Sequence, residues 1–215
     1  AVILGAGKST RMKANKSMLL FNIAGKPVIN HILSSLKAAK VKHNICVINN
    51  SSAELIKILQ AEKISFAYQK ILDGTAGAVK AALKSKKNSN SKILILCGDV
   101  PFITSSSIKK LVAKLKNHDA VVGTVELESP KGYGRIVRVN NKFSSIVEEK
   151  ETTPDERQIR EVNTGIIAIQ ENVLRKYISL IKNNNQKKEY YLTDIIKILI
   201  DHDKKVTTFK SVSYT

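Results

Sequence analysis

With 215 residues, 43% of them hydrophobic, the chain has the length and apolar content for one globular α/β domain, alone or with a small subdomain. No apolar stretch reaches the ~20 residues of a membrane span and no secretory-signal pattern opens the chain, so a cytoplasmic protein without a membrane partner is expected. A formal charge of +18 invites nucleic acid, but pairs such as Lys86-Lys87, Lys109-Lys110 and Lys204-Lys205 are dispersed and aromatics make up only 5%, so the expected role of the field is to steer small anions, with no nucleic-acid partner.

Residues 1–4 are an apolar run, the pattern of a short buried strand, and Gly5-Ala6-Gly7-Lys8-Ser9-Thr10-Arg11 follows directly. Glycines in such a turn let backbone N–H groups approach an anion without Cβ interference, and Lys8 and Arg11 add positive charge. The implied ligand is a nucleotide. The P-loop pattern requires a glycine where this chain has Val2, so Gly7-Lys8-Ser9 is only the tail of that motif.

Downstream, Ile29, Ile32, Leu33 and Leu36 follow helical spacing over about 28–39, and a strand over 44–48 comes next. Ser51 with Glu54 three residues on forms a capping-box pattern for a second helix. A strand over 64–68 leads through Asp73-Gly74-Thr75 into an alanine-rich helix ending near Lys84. A strand over 92–97 then ends at Gly98-Asp99, and Thr104 caps a helix with Ile108, Leu111, Val112 and Leu115 on one face. This alternation predicts a parallel, doubly wound sheet. The rhythm changes beyond it, with strands over 120–126, 134–139 and 142–147, the last two joined at Asn140-Asn141 as a hairpin. A strand over 161–169, helices over 171–181 and 190–200 and a strand over 206–209 complete the chain, and 86–91 and 182–188 read as solvated loops.

Ligands of such sheets bind outside the carboxyl ends of the strands, where strand order reverses. Residues 5–11, 69–75 and 98–99 all follow predicted strands. Asp99 is a carboxylate at the position from which many nucleotide enzymes hold Mg²⁺, although an aspartate there also serves as a turn former or cap. Cys46 and Cys97 lie in separate apolar runs without Cys-x-x-Cys spacing, which predicts reduced, packed thiols and no zinc site. His31, His43, His118 and His202 form no metal or triad spacing and read as structural or surface residues.

The opening loop resembles the signature of the sugar-nucleotide pyrophosphorylases. Later segments narrow the match: Gly98-Asp99-Val100-Pro101, Gly132-Tyr133-Gly134-Arg135-Ile136, Ile146-Val147-Glu148, Glu161-Val162-Asn163-Thr164-Gly165 and Glu189-Tyr190-Tyr191-Leu192-Thr193-Asp194 stand in the order expected. Together they resemble the uridylyltransferase domain of the bifunctional N-acetylglucosamine-1-phosphate uridylyltransferases, over nearly the whole chain.

That resemblance implies a Rossmann-like mixed sheet of the nucleotide-diphospho-sugar transferase type with a small β-rich sugar-binding subdomain. It places Leu4, Gly5, Ala6 and Gly7 around the nucleotide phosphates with Arg11 on the outer phosphates, and Gln69, Gly74 and Thr75 at uracil. Cys97, Gly98 and Asp99 border the substrate, with Asp99 on Mg²⁺. Gly134, Glu148 and Asn163 fall on the sugar and Thr193 near its phosphate. The implied substrates are UTP and N-acetylglucosamine-1-phosphate, joined by attack of a phosphate oxygen on the α-phosphorus with loss of pyrophosphate and no protein nucleophile.

The chain departs from the family pattern at two places. The family's phosphate-contacting lysine falls on Met18, and Lys16, two positions earlier, is the expected substitute if the segment is extended. The chain also stops at Thr215, before the family's Gly-Val-Asn segment, which carries a second Mg²⁺ ligand, and before its hexapeptide-repeat acetyltransferase domain. A portion of a longer, trimeric protein is therefore expected, with the domain alone monomeric. Two alternatives stay open: a related nucleotidyltransferase for another base or sugar, and a sugar-nucleotide binding module without turnover.

Overall fold

Strand β1 (Val2–Leu4) lies at the middle of the sheet, flanked on both sides by parallel neighbours. The computed structural model describes residues 1–7, 16–49, 53–87 and 90–211; the expected contributions of Lys8, Arg11 and the Ser51 cap lie outside them. A 3₁₀ turn (Met18–Leu20) and a two-stranded ribbon, β2 (Asn22–Ile23) with β3 (Lys26–Pro27), lead into α1 (Val28–Ala38). There follow β4 (Ile45–Ile48), α2 (Ala53–Ala61), β5 (Ser65–Tyr68), α3 (Thr75–Lys84), β6 (Lys92–Cys97) and α4 (Ser105–Lys114). Thr104 caps α4 as expected, its hydroxyl accepting from Ser107 N at 3.1 Å.

The second half adds β7 (Ala120–Glu126), β8 (Arg135–Val139), β9 (Lys142–Val147), α5 (Pro154–Arg157), β10 (Glu161–Gln170), α6 (Glu171–Tyr177), α7 (Asp194–Asp201) and β11 (Val206–Lys210). The order across the sheet is β11-β7-β10-β6-β1-β4-β5. Strands β6, β1, β4 and β5 are mutually parallel, β10 runs antiparallel between β6 and β7, and β11 is parallel to β7. Successive strands thus go from β1 to β4 and β5 on one side and then to β6 on the other. That reversal creates a switch-point crevice above the carboxyl ends of β1 and β6.

Both faces of the sheet are covered, as its unbroken apolar strands require. Leu94 and Leu96 of β6 pack with Ile29, Ile32, Leu36, Leu55, Leu59, Ile108 and Leu111 under α1, α2 and α4. Alternate residues Ile93 and Ile95 pack with Val79, Ala82, Leu174, Ile195, Ile196 and Leu199 under α3, α6 and α7. The β8–β9 hairpin turns at Asn140-Asn141, both left-handed at φ 50° and 61°, the requirement of a type I′ turn. It joins the main sheet at one pair, Arg135 with Val162, and so forms a small β-rich lobe off the end of β10.

Three expectations are corrected. The helix over 190–200 starts only at Asp194, because the main chain of residues 190–192 is engaged by the turn before α3. The helix over 171–181 ends at Tyr177 and tightens into a 3₁₀ turn, Ile178–Leu180. The loop over 86–91 is anchored rather than solvated at its ends: fully buried Glu171 accepts from Lys86 Nζ at 2.9 Å, Ser91 Oγ at 2.7 Å and Arg175 Nε at 2.9 Å. Burial alone would raise that carboxyl, but the bonds from Ser91, Lys86 and Arg175 hold it below the usual range. Among the described residues, no helix is long and apolar enough to cross a membrane.

Candidate functional site

The glycine loop leaves β1 at the switch point. Gly98 N donates to Leu4 O at 3.0 Å, so the ends of β1 and β6 touch directly. Gly5 N donates to Val47 O at 2.8 Å, which commits that amide to the sheet; an anion cradle here begins at Ala6 and exposed Gly7. Asn49 Nδ2 braces the loop by donating to Ala6 O at 2.9 Å.

Leu19 of the 3₁₀ turn, 1% exposed, fills the floor of the crevice. A Cβ at Gly5 would overlap its Cδ1, and one at Gly98 would lie 3.0 Å from its Cδ2 and 2.8 Å from Leu4 O. These two glycines therefore admit a leucine as much as a phosphate. Met18 opens that 3₁₀ turn, so the segment is not extended and alternation does not align Lys16 with it. The exposed Lys16 instead sets its ammonium over the Phe21 ring, 4.8 Å from the centroid.

Asp99 is exposed just beyond Gly98, and its carboxylate has no hydrogen-bond or ion-pair partner among the described residues. Burial pushes the neighbouring Cys97 thiol up to about 12, helped by the carboxylates of Asp99 and Glu148, which puts both acids in electrostatic reach of one sulfur. No group of three metal-ligating side chains occurs among the described residues. A single free carboxylate fits Mg²⁺, which takes one or two protein carboxylates and completes its shell with phosphate oxygens and water.

Two strands away from β1, Gln69 N donates to Ile48 O at 2.8 Å, placing the Gln69 turn along the same carboxyl edge. At ~4.8 Å per strand step, it stands about 10 Å from the glycine loop, the scale of a nucleoside. The Gln69 amide, 7% exposed, donates through Nε2 to Asp73 Oδ1 at 3.0 Å and Gly74 O at 2.9 Å. Both N–H groups are thereby engaged, which leaves Oε1 as an acceptor. Thr75 Oγ1 accepts from Leu192 N at 2.9 Å, which frees its own proton for donation.

The segment before α7 locks onto this turn through main-chain atoms. Tyr190 N donates to Asp73 O at 2.7 Å and Ala76 N to Tyr190 O at 2.9 Å. Gly74, at φ 113°, lies so close that an added Cβ would come within 2.5 Å of Tyr190 O. From there Thr193 donates to Glu148 Oε1 at 2.8 Å. On the far wall, Asn163 N donates to Gly134 O at 2.8 Å and Gly165 N to Asn163 Oδ1 at 3.1 Å, leaving the Asn163 amide N–H₂ to donate outward. Gly165 backs against Cys97, where a Cβ would lie 2.8 Å from Sγ.

The expected residues lie on a broken circuit of contacts, in two arcs. It runs from Leu4 through Gly98 and Cys97 to Gly165, Asn163 and Gly134, and from Glu148 through Thr193 and Leu192 to Thr75 and Gln69. Arg11 lies outside the described residues, and Lys16 is joined to the circuit only through the turn bearing Leu19.

Acidic groups gather on the wall that carries Glu148, in a strongly basic chain. Burial, followed by the charges of Glu148 and Glu151, raises Asp194 to about 6. Tyr191 is raised to about 12 by burial and by Glu189, Glu148, Glu151 and Asp194. Sequence reasoning passed over Asp73, Tyr190, Leu19 and Arg135. Asp73 stood only in the connection into the alanine-rich helix although it fixes Gln69, and Tyr190 meets that turn through main-chain atoms, which no side-chain pattern reports.

Residues 1–157 match the MobA-like NTP transferase domain. The chain is 42% identical over 198 residues, 91% of its length, to bifunctional protein GlmU of Francisella tularensis subsp. novicida (strain U112) and equally to that of subsp. tularensis (strain SCHU S4). It spans only 43% of the length of these relatives. A Bacillus anthracis structure assigned as a glucose-1-phosphate thymidylyltransferase, solved with sucrose, superposes with a TM-score of 0.78 at 19% identity, covering 98% of this chain and 85% of that one. A UDP-glucose pyrophosphorylase complexed with UDP-glucose gives 0.74 at 16%, covering 97% and 89%. At these identities the structures show a shared fold.

Proposed function

The chain belongs to the MobA-like NTP transferase family and is a nucleotidyltransferase, and from that premise we propose that it transfers UMP from UTP to N-acetylglucosamine-1-phosphate, releasing pyrophosphate. The observation that carries this reading is the hydrogen-bonded link from the base-side turn to the sugar-side acid, Thr75 to Leu192 and Thr193 to Glu148. A donor and acceptor edge for a base and a hydroxyl-reading carboxylate are thereby held to one another across the crevice.

Gln69 Oε1 and the Thr75 hydroxyl supply an acceptor and a donor, which suit the N3–H and flanking carbonyl of uracil. Glu148 Oε2 and the Asn163 amide suit a sugar hydroxyl and an acetamido carbonyl. The amides of Ala6 and Gly7 would receive the phosphates. Mg²⁺ would be held by Asp99, and when bound it neutralises charge on phosphate oxygens. The attacking phosphate oxygen is already anionic near neutral pH, so the residues of this chain need only align it in line and screen its charge. A second reading, binding without turnover, is favoured by Met18, which brings no charge to the family's lysine position.

Pyrophosphate release from UTP, CTP, dTTP and GTP, each with N-acetylglucosamine-1-phosphate or glucose-1-phosphate and Mg²⁺, tests the proposal. Fastest release is expected with UTP and N-acetylglucosamine-1-phosphate. Preference for another base or sugar refutes the assignment, and UDP-sugar binding without any release selects the second reading.

A further inference from the structure

The geometry points to Arg135 as a positioning residue that clasps the mouth of the β8–β9 hairpin and so sets the spacing of Gly134 and Glu148. It rests on the reading that these two residues face the sugar phosphate. The ladder pairs Ile136 with Ile146 and Arg135 with Val147, and there it ends. Antiparallel register carried one and two steps further sets Gly134 opposite Glu148 and Tyr133 opposite Glu149. Neither outer pair belongs to the ladder, so the two sugar-side positions sit just past its last pair.

The Arg135 side chain closes that gap. Its Nη1 donates to Tyr133 O and lies 2.7 Å from a Glu149 carboxylate oxygen. One guanidinium nitrogen therefore bridges the residue before Gly134 to the residue after Glu148. The side chain is 2% exposed; its Nε and Glu149 Oε2 both lack a hydrogen-bond partner, so it is hydrogen-bonded to Tyr133 O and held to Glu149 by charge.

An apolar side chain would fill the same volume without the desolvation penalty of a buried cation. It would neither donate to Tyr133 O nor pair with the Glu149 carboxylate. The clasp is braced from behind, where Thr152 Oγ1 donates to Glu149 O at 2.8 Å and accepts from Arg157 Nε at 3.3 Å. In front of it, Gly134 O accepts from Asn163 N and Glu148 accepts from Thr193, so Gly134, Glu148, Asn163 and Thr193 all depend on one buried side chain.

The test uses the intact protein and the R135L/E149L pair, which replaces the ion pair with apolar volume. Amide hydrogen exchange is followed at Asn163 and Glu151, whose N–H groups bond to Gly134 O and Glu148 O, together with KM for UTP and for N-acetylglucosamine-1-phosphate. Exchange at those amides is expected to rise about tenfold or more while β6 is unchanged, and KM for the sugar phosphate to rise about tenfold while that for UTP stays within about twofold. Unchanged exchange, or equal rises in both KM values, overturns the clasp. If the wild-type protein turns over no sugar phosphate, the functional reading fails and the exchange data alone decide the clasp. Should the pair not fold, Glu149→Gln, whose side chain is 32% exposed, is read by the same exchange criterion.

Discussion

Leu19 is the side chain on which the ends of β1 and β6 close, and a double-mutant cycle isolates its contact with Gly5. Leu19→Ala empties a site that is 1% exposed and is expected to lower stability by about 2–5 kcal/mol. Gly5→Ala places a methyl where Leu19 Cδ1 stands, 3.2 Å from Val47 O, at an expected loss of about 1–3 kcal/mol. In the double variant the new methyl enters the space that Leu19 vacated. The combined loss should fall short of the sum by about 1–2 kcal/mol. Gly98→Ala should couple to Leu19→Ala more weakly: its methyl would lie 3.0 Å from Leu19 Cδ2 but also 2.8 Å from the backbone atom Leu4 O, a clash that truncating Leu19 does not relieve. Urea denaturation, compared through midpoints at equal m-values, supplies the free energies. Additivity of Gly5→Ala with Leu19→Ala to within about 0.5 kcal/mol would falsify the account of the crevice floor.

Asp194, raised to about 6, stays protonated in the folded protein over a range in which the unfolded chain, with an aspartate near 4, is ionised. Its contribution is therefore present below pH ~4 and lost as pH rises through ~6. Asp194→Asn should match wild-type thermal stability at pH 4 and exceed it above pH 6–7 by up to about 1 kcal/mol after allowing for solvent screening; parallel pH profiles would refute this. Glu171, held low by its partners, acts in the opposite sense, stabilising above the ordinary carboxylate range and losing that effect on acidification. Glu171→Gln should reduce stability at pH 7 by about 2–4 kcal/mol in urea melts, with the gap closing in acid. Thr193→Val, which removes the bond to Glu148, should raise KM for the sugar phosphate several-fold and leave that for UTP nearly unchanged, as read from initial rates of pyrophosphate release.

Most of the architecture could be read from the sequence because both faces of the sheet are buried. Unbroken runs such as Ile93-Leu94-Ile95-Leu96 announce strands, and the spacing of Ile29, Ile32, Leu33 and Leu36 announces a helix. Reading failed where tertiary bonding overrode local pattern. Residues 190–193 precede a strongly amphipathic helix and share its periodicity, yet the N–H and C=O of Tyr190 and the N–H of Leu192 are bonded to residues 73–76, and only the carbonyls of residues 191–193 accept from the start of the helix. Lys86 and Ser91 looked solvated because the acid that binds them, Glu171, lies 80 residues or more away in sequence. In the site, carbonyls, carboxylates and glycines after strand ends were recognisable by type, but their pairing was not. Nothing in the order of residues reveals that Gly5 N is engaged by Val47, or that Asp73 and Gly74 take both protons of the Gln69 amide and leave only its oxygen to accept.

The joint between Gly74 and Tyr190 distributes its demands unevenly. It is built from main-chain atoms on both sides, while the Tyr190 ring turns away toward Lys80, 4.9 Å from its centroid. Any amino acid except proline can supply the N–H and C=O at position 190, so substitutions there should keep the joint and lose only what the half-buried ring contributes by packing against the core. Position 74 has no such latitude, because both its dihedral angle and the 2.5 Å approach to Tyr190 O exclude every side chain. The identity of the partner is thus written almost wholly into the glycine, and tolerance mapped along this chain should show a sharp minimum at one end of the contact and a plateau at the other.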